Sequence, residues 1–89
     1  MLPVRPASQF KKDLKRASRQ RRDLEEVKKV LEILAIPKPL PEVYKDHPLK
    51  GVWRDFRECH IEIDWLLIYA IPDFELRPAR LGTHAELFK

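Results

Sequence analysis

Apolar residues recur with helical spacing in the first third of the chain. A first stripe follows Ser8, a residue type that caps helices, at positions i, i+4 and i+7: Phe10, Leu14 and Ala17. Residues 18–22 have no apolar side chain and mark a corner. The spacing then resumes at Leu24, Val27, Leu31 and Leu34. Pro37 ends this second helix, because the residue before a proline disfavours the α region. The pattern predicts a helical hairpin.

The remainder carries the shorter apolar runs that are typical of strands. Trp65–Ile71 is apolar throughout and predicts an interior strand. Three further strands are predicted, over residues 2–4, 52–59 and 74–81. The first belongs at a sheet edge, because the flanking prolines cannot donate to an interior ladder. Residues 42–51 are predicted to form an ordered loop between the helices and the later strands.

The predicted order is β-α-α-loop-β-β-β, an α+β fold with one face of the sheet covered by the helical hairpin. At 89 residues the chain forms one domain, 1–89, around one core. Thr83 and Glu86 have the spacing of a capping box and predict a short last helix. Most large aromatic residues are expected in the core: Trp53, Phe56, Trp65, Tyr69 and Phe74.

The composition indicates which cellular compartment and which kinds of partner to expect. No signal peptide or membrane span is expected, since the longest apolar run is far below the roughly 18–20 residues that cross a bilayer. A lone cysteine, Cys59, excludes an internal disulfide and fits the reducing cytoplasm. The net charge is +4, and residues 8–32 hold the whole surplus. This basic region favours a polyanion or an acidic protein as partner, although a solvated helix face has the same composition.

Metal binding is not expected from the spacing of the candidate ligands. The three histidines lie in three different segments, without the close pairs that zinc sites in short chains usually show. Cys59 and His60 are adjacent, so on a strand their side chains point to opposite faces. The sequence therefore predicts neither a metal nor a small-molecule cofactor.

Acid–base chemistry is the stronger possibility, because histidine titrates near neutrality. His60 and Asp64 meet at the mouth of a hairpin if residues 61–63 turn, or share one strand face with Glu62 if the chain runs straight. The alternative is a solvated sheet face. Strand arginines can hold phosphate, and one of each pair three apart is expected to face a site: Arg54 or Arg57, and Arg77 or Arg80. Phe88 either stacks on a base or docks onto the sheet.

Three motifs in this order resemble the YafQ-type toxins of the RelE superfamily. They are Tyr44-Lys-Asp-His47-Pro-Leu-x-Gly51-x-Trp53, then Phe56-Arg57-Glu-Cys-His60-Ile-Glu-Ile-Asp64-Trp65, then Arg80-Leu-Gly82-Thr83-His84-Ala-Glu-Leu-Phe88. The resemblance covers residues 44–88 in motifs and the helical hairpin in architecture. It implies a RelE-like fold and a toxin–antitoxin toxin that enters the ribosomal A site and cuts mRNA. The implied partners are a DinJ- or RelB-like antitoxin, the ribosome and mRNA.

The resemblance also implies the site. Positions that match four residues form the active site of the family: His47, His60, Asp64 and His84. Glu58 and Phe88 match positions close by. The chain departs from the family at Glu58, where aspartate is frequent, and at Ile63, where proline is frequent.

In the implied reaction the 2′-OH of the RNA is the nucleophile, so the protein supplies only acid, base and charge. His84 is expected as general acid, His60 with Asp64 as base and orienting partner, and His47 as a positioning group. Arg57 or Arg80 is expected to stabilise the phosphorane. The RNA-binding residues are expected to be Lys50, Arg57, Arg80 and Phe88. The rival functions are a non-catalytic basic RNA- or DNA-binding module and a toxin homologue that only binds an antitoxin.

Overall fold

A computed structural model describes residues 1–36 and 38–88. Helix α1 (Ser8–Arg19) and helix α2 (Leu24–Ala35) form the predicted hairpin, and Asp23 caps α2 by accepting from the Glu26 N–H. Four antiparallel strands follow in the spatial order of the chain: β1 (His47–Pro48), β2 (Arg57–Glu62), β3 (Trp65–Ala70) and β4 (Arg77–Gly82). Helix α3 (His84–Leu87) closes the described chain. The α+β prediction is confirmed; Pro37, predicted to end α2, lies outside the described residues.

The two faces of the sheet have different coverings. The helices cover the face that carries the main core, including Phe10, Val30, Leu67 and Leu81. The opposite face has a smaller apolar cluster around Leu66 and Ile68, onto which Leu87 of α3 packs. Because successive strand residues alternate between faces, the side chains of Glu58 and His60 lie on this second face. No helix among the described residues is long and apolar enough to cross a membrane.

Helix α1 also closes the exposed edge of β4. Asp13, only 1% exposed, accepts from the Leu81 backbone N–H at 2.9 Å, and the Arg16 guanidinium donates to the Leu81 carbonyl at 2.9 Å. These two side chains satisfy the backbone groups that an edge strand leaves unpaired. α1 therefore holds the end of β4 from which α3 departs.

Three predicted elements differ in the structure. The predicted first strand is one parallel bridge between Val4 and Leu76, because Pro3 and Pro6 have no N–H to extend a ladder. The predicted strand over 52–59 begins only at Arg57, after a 3₁₀ turn at Gly51–Trp53. The loop predicted over 42–51 contains a 3₁₀ turn at Glu42–Tyr44 and strand β1.

Phe74 is wrong as a core residue, since it is 84% exposed. Asp73 and Phe74 both have left-handed backbone conformations, with φ of 51° and 60°, and the Glu75 N–H donates to the Pro72 carbonyl at 3.0 Å. Two left-handed residues in succession form the type I′ turn that suits a two-residue hairpin. The turn places the Phe74 side chain at its exposed corner. The predicted Thr83–Glu86 capping box is confirmed at the start of α3.

Candidate active site

Strands β1 and β2 bring two histidines to one carboxylate. His47 stands opposite Glu58 in the antiparallel register, and His60 lies two residues along β2 on the same face. The same carboxylate oxygen, Glu58 Oε2, lies 3.0 Å from His47 Nε2 and 3.8 Å from His60 Nε2. Glu58 is 4% exposed, and its Oε1 is buried without a hydrogen-bond partner among the described residues. A buried carboxylate thus lies between two titratable rings.

The other ring nitrogens fix how these histidines are oriented. His47 Nδ1 lies 2.7 Å from the Lys45 carbonyl oxygen, and His60 Nδ1 lies 3.3 Å from the Ile63 carbonyl oxygen. A carbonyl only accepts, so Nδ1–H is the donor in both rings. Each Nε2 is therefore presented to Glu58. A proton held between Nε2 and the carboxylate can be taken up or released there.

A second pair joins the β2–β3 turn to α3. Asp64 Oδ1 accepts from the His84 backbone N–H at 3.0 Å and from His84 Nδ1 at 2.8 Å. These two hydrogen bonds, first the backbone and then the ring, lower the pKa of Asp64 below its ordinary value of 3.8. His84 Nε2 has no hydrogen-bond partner among the described residues. That nitrogen is free to exchange a proton with a bound substrate.

The expected pairing of His60 with Asp64 is therefore replaced by two other pairs. The ladder between β2 and β3 shifts register after His60, and residues 63 and 64 form the turn. Asp64 consequently lies at the turn, in contact with α3, whereas His60 stays on the strand beside Glu58. Of the two alternatives for this segment the chain turns, at residues 63 and 64 after β2 has continued to Glu62, and the turn brings Asp64 to His84.

Four rings form a row across this end of the sheet. Neighbouring ring centroids are separated by 6.0 Å from His47 to His60, 6.1 Å from His60 to His84, and 6.1 Å from His84 to Phe88. Phe88 is 40% exposed, and its ring stands at the α3 end of the row. The row thus places three imidazoles about 6 Å apart with an aromatic ring next to them.

The basic side chains expected to bind RNA, those of Lys50, Arg57 and Arg80, lie in three different parts of the structure. Arg57 lies on the helix-covered face, where it donates to Asp46 at 3.1 Å. Arg80 pairs with Ile68 of β3, and Ile68 pairs with Glu58 of β2. The Arg80 guanidinium nevertheless donates to Asp13, at 2.9 Å. Lys50 is exposed in the loop after β1. Neither arginine is brought to the histidine row, because each is paired with a carboxylate outside it.

The structure also assembles a set of possible metal ligands that the spacing analysis did not find. Ligand atoms of His47, Glu58 and His60 all lie within 4.8 Å of one another. The set joins β1 to β2 and so has no short sequence signature. Two imidazoles and a carboxylate suit zinc and related transition metals. The donor chemistry thus fits a metal, while the same atoms also fit proton transfer.

Asp46 was missed as a supporting residue. Its carboxylate accepts from the Tyr69 hydroxyl at 2.7 Å and from Arg57 at 3.1 Å, and it immediately precedes His47. Burial and then this hydrogen bond raise the pKa of Tyr69. Asp46 therefore anchors the start of β1 to β2 and β3. The available signal was the acid directly before His47, within the first motif.

Comparison with known proteins places these features in a family. The family described as "Bacterial toxin of type II toxin-antitoxin system, YafQ" matches residues 2–89. The mRNA interferase toxin YafQ of Escherichia coli K12 is 46% identical over 83 residues, which cover 92% of this chain and 90% of the relative. The toxin in the E. coli DinJ–YafQ toxin–antitoxin complex has a TM-score of 0.91 and 43% identity, with 99% and 98% coverage. A metal-bound toxin from Helicobacter pylori has a TM-score of 0.93 and 47% identity, with 99% and 100% coverage.

Proposed function

The chain belongs to the YafQ family of bacterial toxins of type II toxin–antitoxin systems, and from this we propose that it is an mRNA interferase, an endoribonuclease that cuts mRNA in the ribosomal A site. One observation supports the chemistry above all others. Three histidines stand about 6 Å apart in a row, and two carboxylates hold them. A site of this kind moves protons without a protein nucleophile.

In the proposed reaction a base takes the proton of the ribose 2′-OH, and its oxygen attacks the adjacent phosphorus. A P–O2′ bond forms as the P–O5′ bond breaks. The departing 5′-oxygen receives a proton from a general acid. The products are a 2′,3′-cyclic phosphate and a free 5′-hydroxyl, so water, a serine or a cysteine is not needed as the nucleophile.

The two pairs suggest a division of roles. His84 is the proposed general acid through Nε2, with Asp64 orienting its ring from the Nδ1 side. His60 is the proposed general base and Glu58 its partner, since Glu58 Oε2 can receive the proton that His60 Nε2 accepts. His47, 3.0 Å from the same oxygen, positions Glu58. These roles require both rings to reach one phosphate group, and the two ring centroids lie 6.1 Å apart.

RNA binding is proposed for the exposed Lys50 and for Phe88, whose half-exposed ring can stack on a base. Arg57 and Arg80 would contribute by exchanging their carboxylate partners for phosphate, with side chains 45% and 22% exposed. Such exchange costs the existing ion pairs. Their effect on binding is therefore expected to be smaller than that of a free cation.

Ribosome docking is proposed for the helical hairpin. Its lysines are all exposed: Lys11, Lys12, Lys15, Lys28 and Lys29. Ribosomal RNA has a high density of phosphate, so binding should weaken as salt rises. An antitoxin of the DinJ type is the proposed protein partner. The proposed action on ribosomes would place the protein in the cytoplasm.

The proposal is tested by expressing the wild type, His84→Ala and Phe74→Asn, and mapping mRNA 5′ ends. We expect growth arrest and codon-positioned cuts from the wild type and from Phe74→Asn, which changes an exposed turn residue away from the histidine row. His84→Ala should lose both effects. Cuts that persist in His84→Ala would remove His84 from the chemistry. A wild type that neither arrests growth nor cuts ribosome-bound mRNA would favour the non-catalytic binding module.

A further inference from the structure

Helix α1 reaches α3 through the Arg16–Glu86 ion pair, beside which Gln20 at the end of α1 also donates to Glu86 Oε2, at 3.3 Å. Arg16 Nε lies 3.2 Å from Glu86 Oε2, and the other end of the Arg16 guanidinium donates to the Leu81 carbonyl at 2.9 Å. Glu86 in turn accepts the Thr83 backbone N–H at 2.8 Å through Oε1. The Arg16–Glu86 pair therefore spans the junction between β4 and α3.

At Gly82 a side chain would meet the ends of the Arg16 and Glu86 side chains. A Cβ added there would lie 2.8 Å from an Arg16 guanidinium nitrogen and 3.0 Å from Glu86 Oε1. The 2.8 Å approach is closer than real Cβ atoms make, so a Cβ at this position would displace the Arg16 guanidinium from Glu86. Gly82 is thus the residue over which the pair closes. Its lack of a side chain allows Arg16 and Glu86 to meet directly above the backbone.

Helix α3 depends on such external contacts, because four residues are far too few for a helix to be stable alone. The hydrogen bonds of its capping box join Thr83 only to Glu86 and do not tie the helix to the rest of the fold. Arg16 is anchored in turn by Asp13, whose Oδ1 lies 3.4 Å away and whose Oδ2 accepts the Leu81 N–H. The first residue of α3 is His84, whose backbone and ring both contact Asp64.

We propose that Arg16 and Glu86 are positioning residues for His84, tying α3 to α1 so that the His84 backbone N–H and ring both reach Asp64. Neither residue touches the substrate in this role. They act on the direction of the ring. The pair is partly exposed, at 30% and 24%, so its contribution comes from geometry more than from ion-pair energy.

The first test is independent of any RNA substrate. In the wild type the Asp64 carboxyl, followed by carbon-detected NMR, should titrate below 3.8, because His84 donates two hydrogen bonds to it. In Arg16→Met the pKa of Asp64 should rise towards 3.8 as α3 loosens. Arg19→Met is the matched control, since it removes the same charge from an exposed position on α1. In that control the Asp64 titration should stay unchanged.

The second test rests on the proposed function. In steady-state cleavage of ribosome-bound mRNA, Arg16→Met and Arg19→Met should each raise KM, because each removes one basic charge. Only Arg16→Met should also lower kcat, by about tenfold to a hundredfold, the penalty expected for a misplaced catalytic group. Glu86→Gln keeps an oxygen for the Thr83 N–H but loses the ion pair, so it should lower kcat as Arg16→Met does.

Glu86→Gln also decides the matter if Arg16→Met does not fold, as thermal unfolding would show. The proposal is overturned if the folded variants keep both the low Asp64 pKa and the wild-type kcat. It is equally overturned if Arg19→Met changes the Asp64 titration as much as Arg16→Met does. If no form of the protein cleaves mRNA, the proposed function fails, while the Asp64 titration still decides whether Arg16 positions His84.

Discussion

Replacement of Asp64 by alanine or asparagine separates the orienting role of this carboxylate from its charge. Asp64 Oδ1 accepts both the His84 backbone N–H, at 3.0 Å, and the ring Nδ1, at 2.8 Å. Alanine removes both acceptors, whereas the amide oxygen of asparagine can accept from both donors. The two side chains are more than half exposed, at 58% for Asp64 and 55% for His84, so solvent screens the charge. Orientation is therefore expected to dominate.

The size of the effect is bounded by the role of His84. General acid catalysis contributes about 10²–10⁴-fold, and Asp64 cannot contribute more than the group through which it acts. For Asp64→Ala we expect kcat to fall about 10- to 100-fold. For Asp64→Asn we expect a fall of about threefold or less, because the hydrogen bonds survive and the screened charge matters little.

Steady-state cleavage of ribosome-bound mRNA measures these kcat values, and a double variant completes the cycle. His84→Ala with Asp64→Ala should be no slower than His84→Ala alone, since residues that act as a unit are not additive. The reasoning is refuted if Asp64→Ala retains the wild-type kcat. It is also refuted if the double variant loses the product of the two single effects, which would give Asp64 a role separate from His84.

Three further predictions concern the buried groups and the possible metal ligands. Asp13→Ala should lower the free energy of unfolding, measured in urea, by about 3–5 kcal/mol, because Arg80 and the Leu81 N–H lose their buried acceptor. Asp13→Asn keeps an acceptor oxygen, so an equal loss in that variant would contradict this account. Burial raises the pKa of Cys59 to about 12, so the native thiol should resist a disulfide reagent at pH 8, and rapid labelling would contradict this. The free energy of unfolding should also fall as pH rises above 9.0, because only the unfolded thiol ionises there. Cleavage should persist with a chelator selective for zinc and copper at constant Mg²⁺, whereas loss that added metal restores would make the His47–Glu58–His60 set a metal centre.

Local patterns were sufficient for much of the fold. Helical periodicity located α1 and α2, and the apolar run from Trp65 located β3. The Thr83–Glu86 spacing located the start of α3. These signals lie within one element each, where the side-chain period and the capping hydrogen bonds depend on residues at most a few positions apart. Motif resemblance added the candidate site residues in the same way, as positions along the chain.

The partners of those residues depended on the tertiary structure. Asp64 and His84 are twenty positions apart, and only the β2–β3 turn and the docking of α3 bring them together. Glu58 meets His47 through strand register, which a shift of one residue would abolish. Arg57 lies on the opposite face from its neighbour Glu58 because side chains alternate along a strand.

The amino-acid sequence by itself determined the elements and the chemical groups available to the site. Only the tertiary structure decided which acid serves which histidine, and that Arg16 of α1 pairs with Glu86 of α3, the helix that begins at His84. The physical reason is that a hydrogen bond depends on separations of about 3 Å in space. Such separations between distant residues arise from sheet register and helix docking, which no local pattern specifies.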